Sequence, residues 1–314
     1  MKTDNSDKSS DEVCASCGIA AVDNIKLKKC ACDLVQYCSD GCRELHRPEH
    51  AGVCRKRVAE LRDEKLMKQP NGNLLTQPES SHLGECPICF LPLSIDTDKS
   101  MLTSCCCKLI CMGCEYANHK REIEAGLERR CAFCRHPVPK SEDEMNKMIM
   151  NRVKKNDPAA MYQMGNKHHL EGDYKTSLEY YKKAAGLGSA SAHHALSVLY
   201  QYGEGVEQNK EKYIYHSEQA AIAGHPQARH NLGIEDWNDG RYDKSVQHFI
   251  IAASLGYHDS LKSLMTRCAK GLVPKELYAD ALRAYQAAVD ATKSREREEG
   301  EAAYEEQMKR LRQL

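Results

Sequence analysis

Residues 180–188 read Tyr-Tyr-Lys-Lys-Ala-Ala-Gly-Leu-Gly. Slid along the chain, this block meets Glu218-Gln219-Ala220-Ala221-Ile222-Ala223-Gly224 and then Ile251-Ala252-Ala253-Ser254-Leu255-Gly256. The closing glycines, Gly188, Gly224 and Gly256, stand 36 and then 32 residues apart. A second track agrees: Ala160, Ala192, Ala228 and Ser260 step by 32, 36 and 32. Periods of this length are the signature of helical hairpins stacked into a solenoid. Alanine lets two helices approach closely, and a glycine after each helix can take the left-handed cap conformation. The four extra residues of the middle unit fall in its inner turn, Gly203-Glu204-Gly205-Val206-Glu207.

The Gly203-x-Gly205-Val206 turn, set in these repeats, resembles the Sel-one-like repeats, relatives of the tetratricopeptide repeat. The flanking units carry the shorter turns Glu171-Gly172-Asp173-Tyr174 and Asp239-Gly240-Arg241-Tyr242. The resemblance covers roughly residues 157–256 and implies a concave surface for protein partners. Ser141 and Glu144 fit a capping box that opens the first helix, and Pro274 starts a further one, so that the repeat domain spans 141–292 with Lys275 to Thr292 as its cap. Residues 293–314 mix both charges and predict an exposed helical tail.

The N-terminal half has a different character. Of 17 cysteines, seven lie between Cys14 and Cys54, nine between Cys86 and Cys134, and one stands alone at Cys268. Residues 1–12 are polar, predict disorder and lack the apolar core of a secretory signal, and no apolar run reaches the ~20 residues of a membrane span. A cytoplasmic or nuclear setting is the expectation, in which thiols stay reduced and clustered cysteines act as metal ligands rather than disulfides. Between the two blocks, residues 55–83 read as a helix followed by a linker of breaker residues, Gln69-Pro70-Asn71-Gly72-Asn73 through Ser81. The fold class expected is multidomain: two small zinc-stabilised modules of irregular α+β structure, at 13–54 and 84–139, followed by an all-α solenoid.

In the first block the candidate ligands are Cys14 and Cys17, Cys30 and Cys32, Cys38 and Cys42, and His50 with Cys54. Ligands two to four residues apart can reach one ion from a single turn, and eight such ligands suit two Zn2+ ions. A block of about 40 residues cannot hold itself together by burial alone, so the metal would supply much of its folding free energy. Tyr37-Cys38-Ser39 with Cys42, His50 and Cys54 resembles the MYND zinc finger. That resemblance implies interleaving: Cys14, Cys17, Cys38 and Cys42 on one ion, and Cys30, Cys32, His50 and Cys54 on the other. His46 reads as a surface helix residue, with His50 the ligand on spacing. Arg47 stands where the family often has a tryptophan used in peptide binding.

The second block offers Cys86-x2-Cys89, the run Cys105-Cys106-Cys107, Cys111-x2-Cys114 and Cys131-x2-Cys134. Cys86-Pro87-Ile88-Cys89 and Cys131-Ala132-Phe133-Cys134-Arg135-His136-Pro137 resemble the ends of a RING finger, the domain that brings a ubiquitin-conjugating enzyme to a substrate. Nine cysteines for eight positions leave one over, which fits an all-cysteine variant. Cys106 reads as a ligand and Cys105 as its companion; Cys107 is then spare, the exchange of Cys105 and Cys107 staying open. The resemblance implies Cys86, Cys89, Cys111 and Cys114 on one ion, with Cys131, Cys134 and two of the central run on the other. That makes four Zn2+ ions in the chain. It also implies that Ile88 contacts the conjugating enzyme and that Arg135 touches ubiquitin. Ala132 departs from the proline frequent in active members. The polar stretch Glu115 to Arg130 reads as a solvated face.

Lysine plus arginine equals aspartate plus glutamate at 45 each, which gives no general pull toward nucleic acid. Hydrolase triads, phosphate loops and dinucleotide fingerprints are absent from the sequence, and the large catalytic domain that accompanies MYND fingers in lysine methyltransferases has no counterpart. Cys268 reads as a buried inert thiol. Two functions follow from the architecture: a RING-type ubiquitin ligase whose repeats or MYND module select the substrate, or a non-enzymatic scaffold built from the same parts. The module itself would supply no catalytic residue in either case.

Overall fold

The computed structural model describes residues 14–16, 27–31, 33–67 and 74–311. The expectations for residues 1–12, for Cys17 and for Cys32 lie outside the described residues. The chain divides into two compact units, residues 1–70 and 71–314.

In the first unit β1 (Lys28–Lys29) pairs antiparallel with β2 (Gln36–Tyr37), Lys28 opposite Tyr37. The intervening turn is tight: Cys30 N–H donates to the Val35 carbonyl at 2.9 Å, and Asp33 takes a positive φ of 56°. Cys14 bridges to Gln36, beside the strand pair. The chain then enters α1 (Asp40–Met67), one continuous helix of 28 residues. The boundary expected at residue 54 therefore falls in mid-helix. His50 and Cys54, four apart, share one face of the helix that carries the polar segment beyond them.

The second unit opens with the segment read as a linker. From Leu74 onward it is laid across the repeats instead. Leu74 is buried with Ala221 and Leu232, and its carbonyl accepts from the Arg229 guanidinium at 2.5 Å. His82 N–H donates to the Gly224 carbonyl at 3.1 Å. A Cβ on Gly224 would meet the Ser80 carbonyl oxygen at 2.7 Å, so the glycine that ends a repeat helix also admits this strap.

Two three-residue strands follow, β3 (Ser100–Leu102) and β4 (Leu109–Cys111), antiparallel with Met101 opposite Ile110. They lead into α2 (Met112–Glu124). Next comes α3 (Glu142–Val153), capped by the Ser141 hydroxyl, which accepts from Glu144 N–H at 3.2 Å. Glu144 reaches back one residue further than a standard capping box, to Lys140 N–H at 2.8 Å.

The solenoid is built from three hairpins: α4 (Pro158–Leu170) with α5 (Tyr174–Gly186), α6 (Ala190–Tyr202) with α7 (Lys210–Ile222), and α8 (Pro226–Asn238) with α9 (Tyr242–Ser254). All six helices are 13 residues long, so the change of period comes only from the turn at residues 203–209. Gly188, Gly224 and Gly256 sit at φ of 86°, 82° and 88°. The small-residue track Ala160, Ala192, Ala228 and Ser260 is wholly buried, as are Ala184, Ala220 and Ala252 on the partner helices. Gly165 and Gly233 face Tyr181 and Phe249; the same step places Ser197 and Ser217, both buried, in the middle repeat. The stack ends on α10 (His258–Ala269) and α11 (Lys275–Ala291). Cys268 lies partly buried against the Phe249, Leu264, Val273 and Ala281 cluster.

The final helix α12 (Arg295–Leu311) corrects the expectation of an exposed tail. It docks on α2: a Cβ on Gly113 would meet the Arg297 backbone at 2.7 Å, and one on Gly300 the Met112 carbonyl oxygen at 2.8 Å. Only two glycines at the crossing permit that approach. No helix among the described residues is long and apolar enough to cross a membrane.

A run of buried imidazoles ties the strap to the repeats. His225 stacks between His82, at 4.2 Å, and His194, at 4.3 Å between ring centroids. His193 and His216 meet Nδ1 to Nδ1 at 3.0 Å. Burial lowers His82, His193 and His194 to about 4 and His216 to about 3, and holds His225 well below its usual value. The unfolded chain, with histidines near ~6.5, binds more protons between that pH and ~4. Stability from these five rings is thus complete above pH ~6.5 and is lost as pH falls toward 4. Each proton taken up on unfolding steepens the loss by ~1.4 kcal/mol per pH unit. Urea denaturation followed by the single tryptophan, Trp237 on α8, should show a midpoint that drops between pH 7 and pH 5. A His194→Gln variant should flatten that dependence; an unchanged slope would contradict the assignment.

Candidate metal centres

Two loops of the second unit have the same geometry. In each, a Cys-x2-Cys pair is followed by a residue at positive φ: Phe90 at 57° after Cys89, and Arg135 at 64° after Cys134. Phe90 N–H donates to the Cys86 carbonyl at 2.9 Å, and Arg135 N–H to the Cys131 carbonyl at 3.0 Å. Each loop closes on itself, Cys86 N–H to Leu91 O at 3.0 Å and Cys131 N–H to His136 O at 2.8 Å. Such knuckles aim two thiols of a short loop at one point. A third pair is presented by a strand and a helix start: Cys111 ends β4 and its sulfur accepts from Cys114 N–H in the first turn of α2, at 3.5 Å.

The sulfurs gather in interleaved sets. Cys86, Cys89, Cys111 and Cys114 have their Sγ atoms within 4.8 Å of one another, and so do Cys105, Cys106, Cys131 and Cys134. A tetrahedron with ~2.3 Å zinc–sulfur bonds has sulfurs ~3.8 Å apart. Cys89–Cys111 is 3.8 Å, Cys106–Cys131 3.9 Å and Cys105–Cys134 3.3 Å, all far beyond a disulfide bond. The donor sets therefore fit a thiophilic ion. Hydrogen bonding between the two pushes the Cys111 thiol down and Cys114 up, so that one proton is shared across the pair.

Cys107 takes the other path out of the central run. At a φ of 52° its side chain turns away from the thiols into the cluster of Ile149, Ala160 and Met164 on α3 and α4. Burial raises its thiol to about 11. Sequence spacing could not separate Cys105 from Cys107, because the choice depends on which one finds apolar neighbours more than 40 residues away.

In the first unit, Cys14, Cys38 and Cys42 form one set and Cys30, His50 and Cys54 another. The remaining expected ligands, Cys17 and Cys32, lie outside the described residues. His46 stands beside the second set rather than in it: its Nδ1 meets the Tyr37 hydroxyl at 3.0 Å and its ring stacks on His50.

Around the second pair of sets, α2 departs from a solvated face. Glu122 is buried; it accepts from Arg130 N–H at 3.1 Å and from the Arg135 guanidinium at 3.0 Å. Glu115, also buried, pairs with Arg129 at 3.0 Å. Arg135 donates as well to Asn118 Oδ1 at 2.5 Å, so its guanidinium is spent on α2. Ile88 and Phe133, one in each knuckle, stay exposed. The arginines that bury these carboxylates come from the far side of the loop, which is why the polar run looked solvated. Opposite the first knuckle, Arg297 of α12 is buried and donates to Leu91 O at 3.0 Å, Pro92 O at 2.6 Å and Cys89 Sγ at 3.3 Å. No spacing within the block points to that residue.

Comparison with known families identifies two parts of the chain. Residues 14–54 match the model of the MYND finger, and residues 158–189, 190–225 and 226–257 each match the Sel1 repeat. The chain carries a MYND finger and three Sel1 repeats. A MYND finger implies zinc binding. The three Sel1 repeats correspond to the hairpins α4–α5, α6–α7 and α8–α9, each with the turn that follows it. Among solved structures, a Sel1 repeat protein from Oxalobacter formigenes is 25% identical, with a TM-score of 0.42, over 49% of this chain and 66% of that one. The protein c5321, a protective antigen of uropathogenic Escherichia coli strains displaying an SLR fold, is 22% identical, with a TM-score of 0.41, over 47% of this chain and 34% of that one. The chain thus spans less than two thirds of either structure's length. A search of curated proteins finds no match. Sel1 repeats typically mediate protein–protein interactions.

Proposed function

We propose that residues 84–139 are a RING-type module holding two Zn2+ ions, that the MYND finger holds two more, and that the chain acts as a ubiquitin ligase with the Sel1 repeats as its substrate-binding surface. The observation that carries this reading is the interleaving of the two four-thiol sets, each assembled from pairs far apart in sequence. The resemblance of residues 84–139 to a RING finger rests on this cysteine geometry and on the residues in its knuckles. In the reaction the module does no covalent chemistry. A substrate lysine amine attacks the thioester carbonyl of the charged conjugating enzyme and the enzyme's thiol leaves; the ligase holds the two together, a proximity effect.

Ile88 would supply an apolar contact to the conjugating enzyme, and its exposure in the first knuckle suits that role. Arg135 fits less simply, since Asn118 and Glu122 already engage it. In this reading it orders the second knuckle against α2. A scaffold that only docks proteins is the second reading, and the engagement of Arg135 favours it. Binding of ubiquitin-charged conjugating enzymes to the full zinc-loaded chain separates the two. Ligase function predicts saturable binding to a member of a broad panel, weakened about tenfold, ~1.4 kcal/mol, by Ile88→Ala. Binding to none of them would leave the scaffold.

A further inference from the structure

The helix α12 is polar along its length, yet one of its residues is among the most buried charged groups of the described chain. Arg297 keeps only 4% of its surface exposed. Its guanidinium donates to Thr292 O, the C-cap of α11, and to the first knuckle: two carbonyls, Leu91 and Pro92, and the sulfur of Cys89. Among the described residues its hydrogen-bond partners include no carboxylate. A guanidinium is buried only against acceptors and a compensating charge. Four thiolates around a divalent ion leave a dianion, and Arg297 touches one of its ligand atoms. The approach depends on the Gly113–Gly300 crossing and is closed at its outer edge by the Lys99–Glu301 ion pair at 2.8 Å. The second set, Cys105, Cys106, Cys131 and Cys134, has no contact from α12 among the hydrogen bonds described.

We propose that α12 is a brace of the first four-thiol site, with Arg297 as its positioning residue, so that Cys86, Cys89, Cys111 and Cys114 retain their metal only with the C-terminal helix in place. The inference rests on the reading of that set as a zinc site. Two carbonyl contacts fix the knuckle backbone, and the contact to Cys89 offsets the charge of the ligand set. Outer partners of this kind typically set metal affinity by ten- to a hundredfold. The zinc module would then be completed by residues more than 150 positions downstream, and a fragment ending near residue 142 would lack part of its metal site.

The test uses the full-length chain loaded with zinc. Metal content is measured first, and then each cysteine's alkylation rate in excess chelator, read by mass spectrometry. In Arg297→Ala, labelling of Cys86, Cys89, Cys111 and Cys114 should quicken about tenfold or more. Cys105, Cys106, Cys131 and Cys134 should quicken less, and the MYND cysteines should keep the wild-type rate. Arg297→Lys, which keeps the charge and loses the fork, should fall between. Gly300→Ala leaves the arginine intact, pushes α12 from α2, and should give the same selective pattern. Trp237 fluorescence confirms that the repeats remain folded. Wild-type rates in both Arg297→Ala and Gly300→Ala, or equal acceleration of the eight ligand cysteines of the module, would overturn the brace alone. A wild-type chain that carries no zinc in residues 84–139 would overturn the zinc reading and the brace with it.

Discussion

Chelation of zinc from the full chain will unfold residues 84–139 while the Sel1 repeats stay folded. The core of that module is small: Leu93 and Ile110 are its buried apolar side chains apart from cysteines. Its regular structure is two three-residue strands and α2. At ~1.5–3 kcal/mol for each large side chain buried, such a core cannot by itself offset the entropy of ordering the module. Structural zinc supplies ~10–16 kcal/mol per site in small metal-dependent domains, far more than those two side chains. The repeats need no such help, since Leu178, Leu196, Leu199, Leu232, Phe249 and Leu264 lie buried in successive layers. Amide hydrogen exchange should show protection over residues 86–136 falling by several orders of magnitude once the metal is removed, with α5 to α9 nearly unchanged. Protection retained in the module after complete metal removal would contradict a zinc-dependent fold.

The second large effect is expected at a repeat crossing. Gly233→Val should destabilise the solenoid by about 3 kcal/mol, the upper part of the usual overpacking range. A Cβ there would lie 2.8 Å from Phe249 Cε1 and 3.2 Å from His248 Cβ. Phe249 is fully buried against Leu264, Val273 and Ala281 and has no room to retreat. Valine gains some helix propensity over glycine, but only a few tenths of a kcal/mol. In a stack where each repeat is held by its neighbours, the loss spreads to α10 and α11. Ser197→Ala, at the equivalent position of the middle repeat, serves as a mild control. Urea denaturation read by Trp237 measures both variants. A Gly233→Val midpoint equal to wild type would show that the crossing yields at little cost.

The parts legible from sequence are those set by local spacing. The repeat steps found the glycine caps and the buried alanine track because each is a short-range rule repeated three times. Cysteine pairs two to four residues apart marked the knuckles for the same reason. What escaped depends on partners distant in sequence. Leu74 looks like a linker residue until Arg229 is seen holding its carbonyl, 155 positions away. Glu115 and Glu122 look solvated until Arg129 and Arg135 fold back onto them. The charges of α12 hide Arg297, since a buried arginine and an exposed one are the same letter. Cys107 is set apart from its neighbours by a positive φ and by packing against α3 and α4, neither of which spacing encodes.

In the proposed function, interleaved zinc sites make residues 84–139 a RING-type module that positions a charged conjugating enzyme. Because α12 contributes to that module, the measurement belongs on the full chain. Zinc-loaded protein is mixed with a panel of ubiquitin-charged conjugating enzymes, and discharge to free lysine is timed with and without Ile88→Ala. Acceleration by at least one enzyme of the panel is expected, lost in the variant while its zinc content and Trp237 fluorescence stay at wild-type values. A folded, zinc-replete chain that accelerates none of them would contradict ligase function and leave a scaffold whose zinc modules only bind.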